Sequence, residues 1–516
     1  MKGIVNSLLE QGFLVSPDAL QSIQDAQTVG SLIKSKILSK EFLIINKDII
    51  TILEEEPNLA ANWLEFEKLK SEAEKTRVDS LYKKFLSLIR QEKKGAVQDL
   101  RVVFSYEETP KKIEVQDFVN LFLSRYRKLE RLLNQRTELT NLISISRIIT
   151  KKEKETVSLI GIVSGKHHTK NGNLVLTMED PTATIKVMVN KTKPELYDHA
   201  KDITLDEVIG ITGVSSDKIV FANTIVWPEI PRDRELRKSK EESYAVFLSD
   251  LHVGSKKFLK EEFNKFLSWI NQETGSKEQR EIAAKVKYLF FVGDMVDGVG
   301  IYPNQENELE TNDIYKQYEE CAELLAKIPP RIKIIICAGN HDAMRISEPQ
   351  LQLYKDFSRP LWQLQNVEMV SNPAILNIGG CDDFAGFDVL LYHGYSFDYY
   401  IANIDSIRNN GGYDKPELVM KYLLKRRHLA PSHASTLYMP DPKGDFLVIE
   451  KVPDFFVAGH IHKSAVANYR GVTMICGSCW QSKTEFQEKV GHHPEPCRVP
   501  IVNLHTRNVK ILRFGD

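Results

Sequence analysis

Five segments in the second half of the chain end an apolar run in residues that bind metal ions. YAVFLSD followed by LHVG supplies Asp250 and His252, and KYLFFVGDMVDG supplies Asp294 and Asp297. IKIIICAGNHD supplies Asn340, His341 and Asp342, DVLLYHG supplies His393, and PDFFVAGHIH supplies His460 and His462. Carboxylate and amide oxygens mixed with imidazole nitrogens suit Mn²⁺, Fe²⁺ or Zn²⁺ better than Mg²⁺ alone. A carboxylate such as Asp294 has two oxygens and can bridge two cations. Two ions roughly 3.5–4 Å apart activate a water and hold both the attacking and the leaving oxygen of a phosphoester. The expected chemistry is metal-assisted phosphoester hydrolysis.

Taken singly, the segments have plainer readings. His393 before a glycine suits a turn, and Asn340-His341 suits a helix cap. Asp297 is expected only to bond local backbone, outside the ligand set. The spacing of Asp250 and His252, repeated in His460 and His462, predicts that an extended backbone points each pair the same way. Five segments converging on one site are what set the pattern apart from chance.

The elements that must position these residues are strands rich in Val, Ile, Leu and Phe, alternating with helical stretches. That alternation predicts an α/β domain over 240–516, buried on both faces of its strands. In such sheets, sites form at the carboxyl ends of strands. Upstream, from Glu155, the apolar period is two. Three strands with a hairpin at Lys170-Asn171-Gly172-Asn173, the helix KPELYDHAKDI and two further strands predict an OB-type barrel over 141–230. GKHHTKNGN reads equally as a nucleic-acid contact and as a polar hairpin. VQDFVNLFLSRYRKLERLLNQR carries apolar residues on one face and Arg/Lys on the other. It predicts an amphipathic helix within a charged stretch over 61–140. Apolar spacing of three and four predicts a small helical module over 1–60.

A chain of 516 residues needs more than one core. Hydrophobic content of 42%, charged content of 27% and no apolar run near the roughly 20 residues of a membrane span predict a cytoplasmic protein. Six scattered cysteines make no disulfide framework. Cys476 and Cys479, with His492, His493 and Cys497 downstream, look zinc-like but lack regular ligand spacing, so buried thiols are expected. A net charge of −1 leaves nucleic-acid contact to local patches. One candidate is Lys425, Arg426, Arg427 and His428, read either as a DNA contact or as a solvated helix face. NNGGYDKPE predicts a mobile surface connection.

The ordered set DLH, GDMVDG, GNHD, HG and GHIH resembles the calcineurin-like metallophosphoesterases. By that resemblance one metal takes Asp250, His252, Asp294 and His462, and the other takes Asp294, Asn340, His393 and His460. His341 becomes the general acid or transition-state stabiliser, oriented by Asp342. Gly298 stands where protein serine/threonine phosphatases carry an arginine, and GNHD replaces their GNHE. Both departures point toward nucleases and broader phosphodiesterases. The order of helix, barrel and phosphoesterase domain, with GSCWQSKTEFQ and PCRVPIVNLHTRNVKIL near the end, resembles the small subunits of archaeal family D DNA polymerases. The implied fold class is multidomain α+β: a helical N-terminal module, an OB-type β-barrel and a C-terminal calcineurin-like α/β sandwich. The implied activity is 3′→5′ proofreading exonuclease action on single-stranded or frayed 3′ ends of DNA, with two divalent ions, foremost Mn²⁺. The implied partner is a large subunit that carries DNA synthesis; a sliding clamp or primase is a further candidate. The alternatives are a stand-alone nucleotide phosphodiesterase and a non-catalytic scaffold.

Overall fold

The computed structural model describes residues 13–15, 43–45, 99–108, 111–151, 153–489 and 492–515. The chain divides into two compact units, residues 1–97 and 98–516. In the first unit, β1 (Phe13–Val15) pairs in parallel with β2 (Leu43–Ile45). The spacing predicted helix here; these two triplets are instead strands, as their β-branched and aromatic residues favour. The rest of the expected helical module and the charged stretch through residue 98 lie outside the described residues.

The second unit opens with β3 (Leu100–Ser105), followed by the helix Val115–Leu133. Glu114 N–H donates to Asp117 Oδ2 at 2.9 Å and fixes the start of that helix. The barrel comprises β4 (Thr156–His168), β5 (Leu174–Asp180), β6 (Ala183–Val189), β7 (Val208–Ser216) and β8 (Ile219–Val226). It closes in the order β4-β5-β6-β8-β7, with β6 and β8 parallel and the other pairs antiparallel. Inward residues such as Leu159, Leu176, Val187 and Ile211 are fully buried, so the period of two read from the sequence is the inside-outside alternation of this barrel.

The remaining strands are β9 (Tyr244–Leu248), β10 (Val286–Val292), β11 (Lys333–Cys337), β12 (Val367–Met369), β13 (Ala374–Ile378) and β14 (Phe387–Leu391), then β15 (Phe455–Ala458), β16 (Ala465–Tyr469), β17 (Val472–Cys476), β18 (Arg498–Asn503) and β19 (Val509–Arg513). They form two six-stranded sheets, ordered β12-β11-β10-β9-β18-β19 and β16-β17-β15-β14-β13-β3. Phe247, Phe290 and Ile335 of one sheet meet Leu376, Val389 and Phe455 of the other in a core between them. The alternate residues Val246, Leu289 and Phe291 pack outward beneath the helices Lys260–Ile270 and Ile314–Leu325. Both faces of these strands are therefore buried, which explains their unbroken apolar runs. Strand β3 was expected to belong to a charged stretch; it is antiparallel to β13 and completes the second sheet's edge. Among the described residues, no helix is long and apolar enough to cross a membrane.

The helix Val115–Leu133 packs Tyr126, Leu129 and Leu133 against Ile160, Ile162 and Val226 of the barrel. Its basic face is not wholly solvated. Arg125 is fully buried, with Nε 2.7 Å from Asp445 Oδ2 and Nη1 donating to the Pro431 carbonyl at 2.7 Å. His428 Nε2 lies 2.9 Å from the same carboxylate oxygen.

The basic run at Lys425 turns inward as well. Arg426 is buried and ion-paired with Glu207 at 2.8 Å. Arg427 donates to the carbonyls of Ile449 and Glu450 at 2.7 and 2.6 Å. Lys425 Nζ sits 3.8 Å from the centroid of Trp227. These groups join the barrel to the two-sheet sandwich, so neither a DNA contact nor a solvated face describes them. Local spacing cannot distinguish a buried guanidinium from an exposed one; only the carboxylates brought from Glu207 and Asp445 decide it.

Asp445→Ala leaves Arg125 buried without its partner and is expected to cost about 3–5 kcal/mol in denaturant unfolding. The joint also sets a pH response. Burial and the nearby Arg125 push the His428 imidazole down to about 4, against an ordinary value of 6.5. Below about pH 6.5 the unfolded chain takes up a proton that the folded chain refuses, so stability falls as pH drops toward 4. Asp445 adds to the loss at lower pH: burial opposes its charge, but His428 and Arg125 hold its carboxyl below the usual range. Thermal melts from pH 7 to pH 4 should show a progressive fall in Tm.

Candidate metal centre

Asp250, Asp294, Asn340, His393 and His460 stand just beyond the ends of β9 (Leu248), β10 (Val292), β11 (Cys337), β14 (Leu391) and β15 (Ala458). Strands β9, β10 and β11 are mutually parallel, as are β14 and β15, so each sheet delivers its ligand-type residues at one edge. The local backbone is not extended. Asp250, His252, Asp294, His460 and His462 have φ of 53°, 54°, 52°, 68° and 55°. L-residues occupy this left-handed region at a cost of about 1–2 kcal/mol each. The i,i+2 pairs thus converge through tight left-handed bends, not by the strand alternation that the spacing suggested. Such strain persists where packing over-determines it, and it clusters at functional sites.

Two glycines make the approach possible. A Cβ at Gly293, whose φ is 85°, would overlap the His393 ring, and one at Gly339 would overlap the Asp294 carboxylate.

The side chains fall into overlapping groups within reach of a common ion: Asp250, His252 and His462; Asp294, His393 and His460; and His252, Asp294 and His341. His462 Nε2 lies 3.4 Å from Asp250 Oδ1 and 3.1 Å from His252 Nε2. His393 Nε2 lies 3.0 Å from Asn340 Oδ1 and 3.3 Å from Asp294 Oδ2. The same Asp294 Oδ2 is 3.8 Å from His252 Nε2, so it stands between the two sets.

Around them is a second ring of contacts. His252 Nδ1 is 3.0 Å from Asp297 Oδ1, which also accepts from Gln481 Nε2 at 2.9 Å. His393 Nδ1 is 2.8 Å from the Val292 carbonyl. His460 Nε2 is 2.8 Å from Asp398 Oδ2, and Tyr413 donates to Asp398 Oδ1 at 2.8 Å. That contact leaves His460 Nδ1 to face the cluster, whereas His252, His393 and His462 offer Nε2.

The electrostatics follow from packing acids and imidazoles together. Burial opposes the charge of Asp294, but the imidazoles of His393, His341 and His252 hold its carboxyl well below the usual range. Burial likewise disfavours a charged His393, yet Asp294 lifts it to about 10. The buried carboxylates demand positive charge, and the mixed oxygen and nitrogen donors fit divalent cations of the Mn²⁺, Fe²⁺ or Zn²⁺ kind.

His341 faces a cavity of about 390 Å³, lined also by Asp294, His460, His462, Tyr302 and Tyr413. Its backbone N–H donates to Asp294 Oδ1 at 2.8 Å, and its Nδ1 is 2.9 Å from the Asp297 carbonyl. The resemblance assigned the orientation of this ring to Asp342, and the geometry differs. Asp342 is buried, accepts from Gly339 N–H at 2.9 Å, from Met295 N–H at 3.4 Å and from Tyr318 hydroxyl at 3.1 Å, and so ties the loop after β11 to the loop after β10. Burial and the nearby Asp294 push its carboxyl up to about 7. Adjacent residues at a loop end project in different directions, so neighbouring position in GNHD did not imply contact.

Residues 245–464 match the family of calcineurin-like phosphoesterases. Over 403 residues, the chain is 38% identical to the DNA polymerase II small subunit of Methanothermobacter thermautotrophicus, covering 78% of this chain and 80% of that protein. The chain belongs to the DNA polymerase II small subunit family. The Archaeoglobus fulgidus member is 39% identical over 402 residues, covering 78% of this chain and 78% of that protein. The Pyrococcus furiosus member is 39% identical over 407 residues, but the match spans only 64% of its length. The small-subunit resemblance read from the motifs agrees with these relatives. A calcineurin-like phosphoesterase domain implies divalent metal ions, for which the side chains above are the candidate ligands.

Three features of this family member escaped the sequence reading. Asp297 bonds the His252 ring and not only local backbone; its signal was the second Asp of GDMVDG. Asp398 had no local signal. The expected mobile connection NNGGYDKPE instead places Tyr413 in the cavity wall and Asp414 2.7 Å from Lys463 Nζ. The zinc-like cysteines are buried thiols as expected, with Cys479 pushed up to about 12 by burial, and His492 lines the metal cavity.

Removing the carboxylate that holds a ligating imidazole typically lowers metal affinity 10–100-fold. Asp297→Ala is expected to weaken Mn²⁺ binding by about that factor in calorimetric titration. Unchanged affinity would mean that packing alone fixes the His252 ring.

Proposed function

We propose that this small subunit removes nucleotides from the 3′ end of DNA as a proofreading exonuclease, within a polymerase whose synthesis is carried by a larger partner subunit. The observation that supports it is the sharing of Asp294 Oδ2 between two ligand sets, with His341 in the same cavity. In this reading, Asp250, His252, Asp294 and His462 hold one ion, and Asp294, Asn340, His393 and His460 hold the other, most readily Mn²⁺. The ions supply Lewis-acid activation of the phosphodiester and of the attacking water. The protein supplies geometry and a proton. His341 keeps Nδ1–H on the Asp297 carbonyl, which turns Nε2 toward the cavity; Nε2 holds a proton for the leaving oxygen in the imidazolium form, which burial opposes and the nearby Asp294 favours. Asp342 acts indirectly, by holding the loop that presents Asn340 and His341.

The relatives' designation as small subunits supports a larger catalytic partner. A scaffold without hydrolysis would have no need of an imidazole facing an open cavity beside intact ligands. The test is digestion of 3′-labelled and 5′-labelled single-stranded oligonucleotides with Mn²⁺, with and without the large subunit. Stepwise loss from the 3′ end is expected, abolished by Asp294→Asn and slowed about 10²–10⁴-fold by His341→Ala with ions still bound. No cleavage of either substrate by protein loaded with two ions would leave the scaffold reading.

A further inference from the structure

We propose that an aromatic groove beside the metal centre seats the unpaired bases of the substrate strand; this rests on the nuclease reading above. The groove has a volume of about 590 Å³, and Phe118, Tyr395, Tyr399, His433 and Tyr438 lie along it. Asp398 lines both this groove and the metal cavity, so the two adjoin. At the metal end, the Tyr395 ring is 5.9 Å from the ring of His460. At the far end, His433 stacks on Tyr438 at 5.0 Å with 21° between planes, and the Phe118 ring stands edge-on at 5.9 Å. Between them Tyr399 is braced against Tyr400 at 5.3 Å. These rings are held in place by their neighbours before any ligand arrives, which limits the entropy lost on binding.

A groove that adjoins the metal cavity, with Tyr395 beside His460, lies within reach of the substrate strand, and the lining decides which part of it is held. Among the described residues, the lining includes no Lys or Arg. The Asp398 carboxylate at the boundary would repel a phosphate. Aromatic faces instead take nucleobases, whatever their sequence. Duplex bases already stack on one another, so only a single-stranded end presents faces to this floor. The groove therefore selects unpaired strands by base stacking, with the phosphates turned toward solvent.

The test uses the full-length protein with Ca²⁺ and an oligothymidylate carrying 2-aminopurine at its penultimate position. Binding should quench the probe's fluorescence. The double variant Tyr395→Leu with Tyr399→Leu should lose the quench and bind about tenfold more weakly, the size of one lost stacking contact. The ring-retaining pair Tyr395→Phe with Tyr399→Phe should keep both. With Mn²⁺, the leucine variant's kcat/KM on the oligonucleotide should fall about tenfold relative to that on thymidine 5′-monophosphate p-nitrophenyl ester, which has no upstream base. Full quench and an unchanged ratio in the leucine variant, with the oligonucleotide still cleaved, would overturn the groove assignment and leave the nuclease reading intact. Loss of large-subunit association without change in DNA binding would mark the groove as a protein seat and overturn it too. Hydrolysis of neither substrate by the unaltered protein would remove the nuclease reading itself.

Discussion

The Asp294 carboxylate is where the two sheets meet chemically. One oxygen takes the His341 N–H, and the other faces imidazoles delivered by β9 and by β14, strands of different sheets. A buried carboxylate in that position stays ionised only if positive charge surrounds it. The need for such surroundings accounts for much of the nearby architecture. Gly293 and Gly339 let rings and backbone approach, left-handed bends redirect the ligands, and Asp342 stitches two loops together so that the spacing holds. The cost in backbone strain is carried by sheets whose strands are buried on both faces.

How much of this the sequence disclosed depends on the range of each interaction. The ligand residues were legible because each follows a buried strand directly, so type and position lie within a few residues of one another. The barrel was legible for the same reason: alternation and turn chemistry are local. The missed features join distant segments. Asp398 and His460 are 62 positions apart, and Arg125 reaches a carboxylate 320 positions away. Strand β3 carries Val102, Val103 and Phe104, a local strand signal hidden within a stretch whose composition is dominated by charge.

The basic run around Arg426 carries the same lesson with the sign reversed. Four consecutive positions rich in basic residues looked like a patch for an anionic ligand. Glu207, Asp445 and several carbonyls satisfy most of that charge internally, so the joint between barrel and phosphoesterase domain is polar, buried and specific in geometry. An apolar joint could slide, whereas hydrogen-bonded guanidinium groups fix one orientation of the barrel, in the way buried polar contacts fix register elsewhere.

The pairing of β3 with β13 has a topological consequence. Because β3 precedes the barrel in the chain and β9 follows it, the barrel is an insertion within the sandwich, tethered to it at both ends. A domain hung on a single linker can swivel; one spliced between two strands and fastened through Arg125, Arg426 and Arg427 is restrained at both connections and across the joint. Any load applied to the barrel is therefore borne by the sandwich as well, and barrel and metal centre travel together as a single lever.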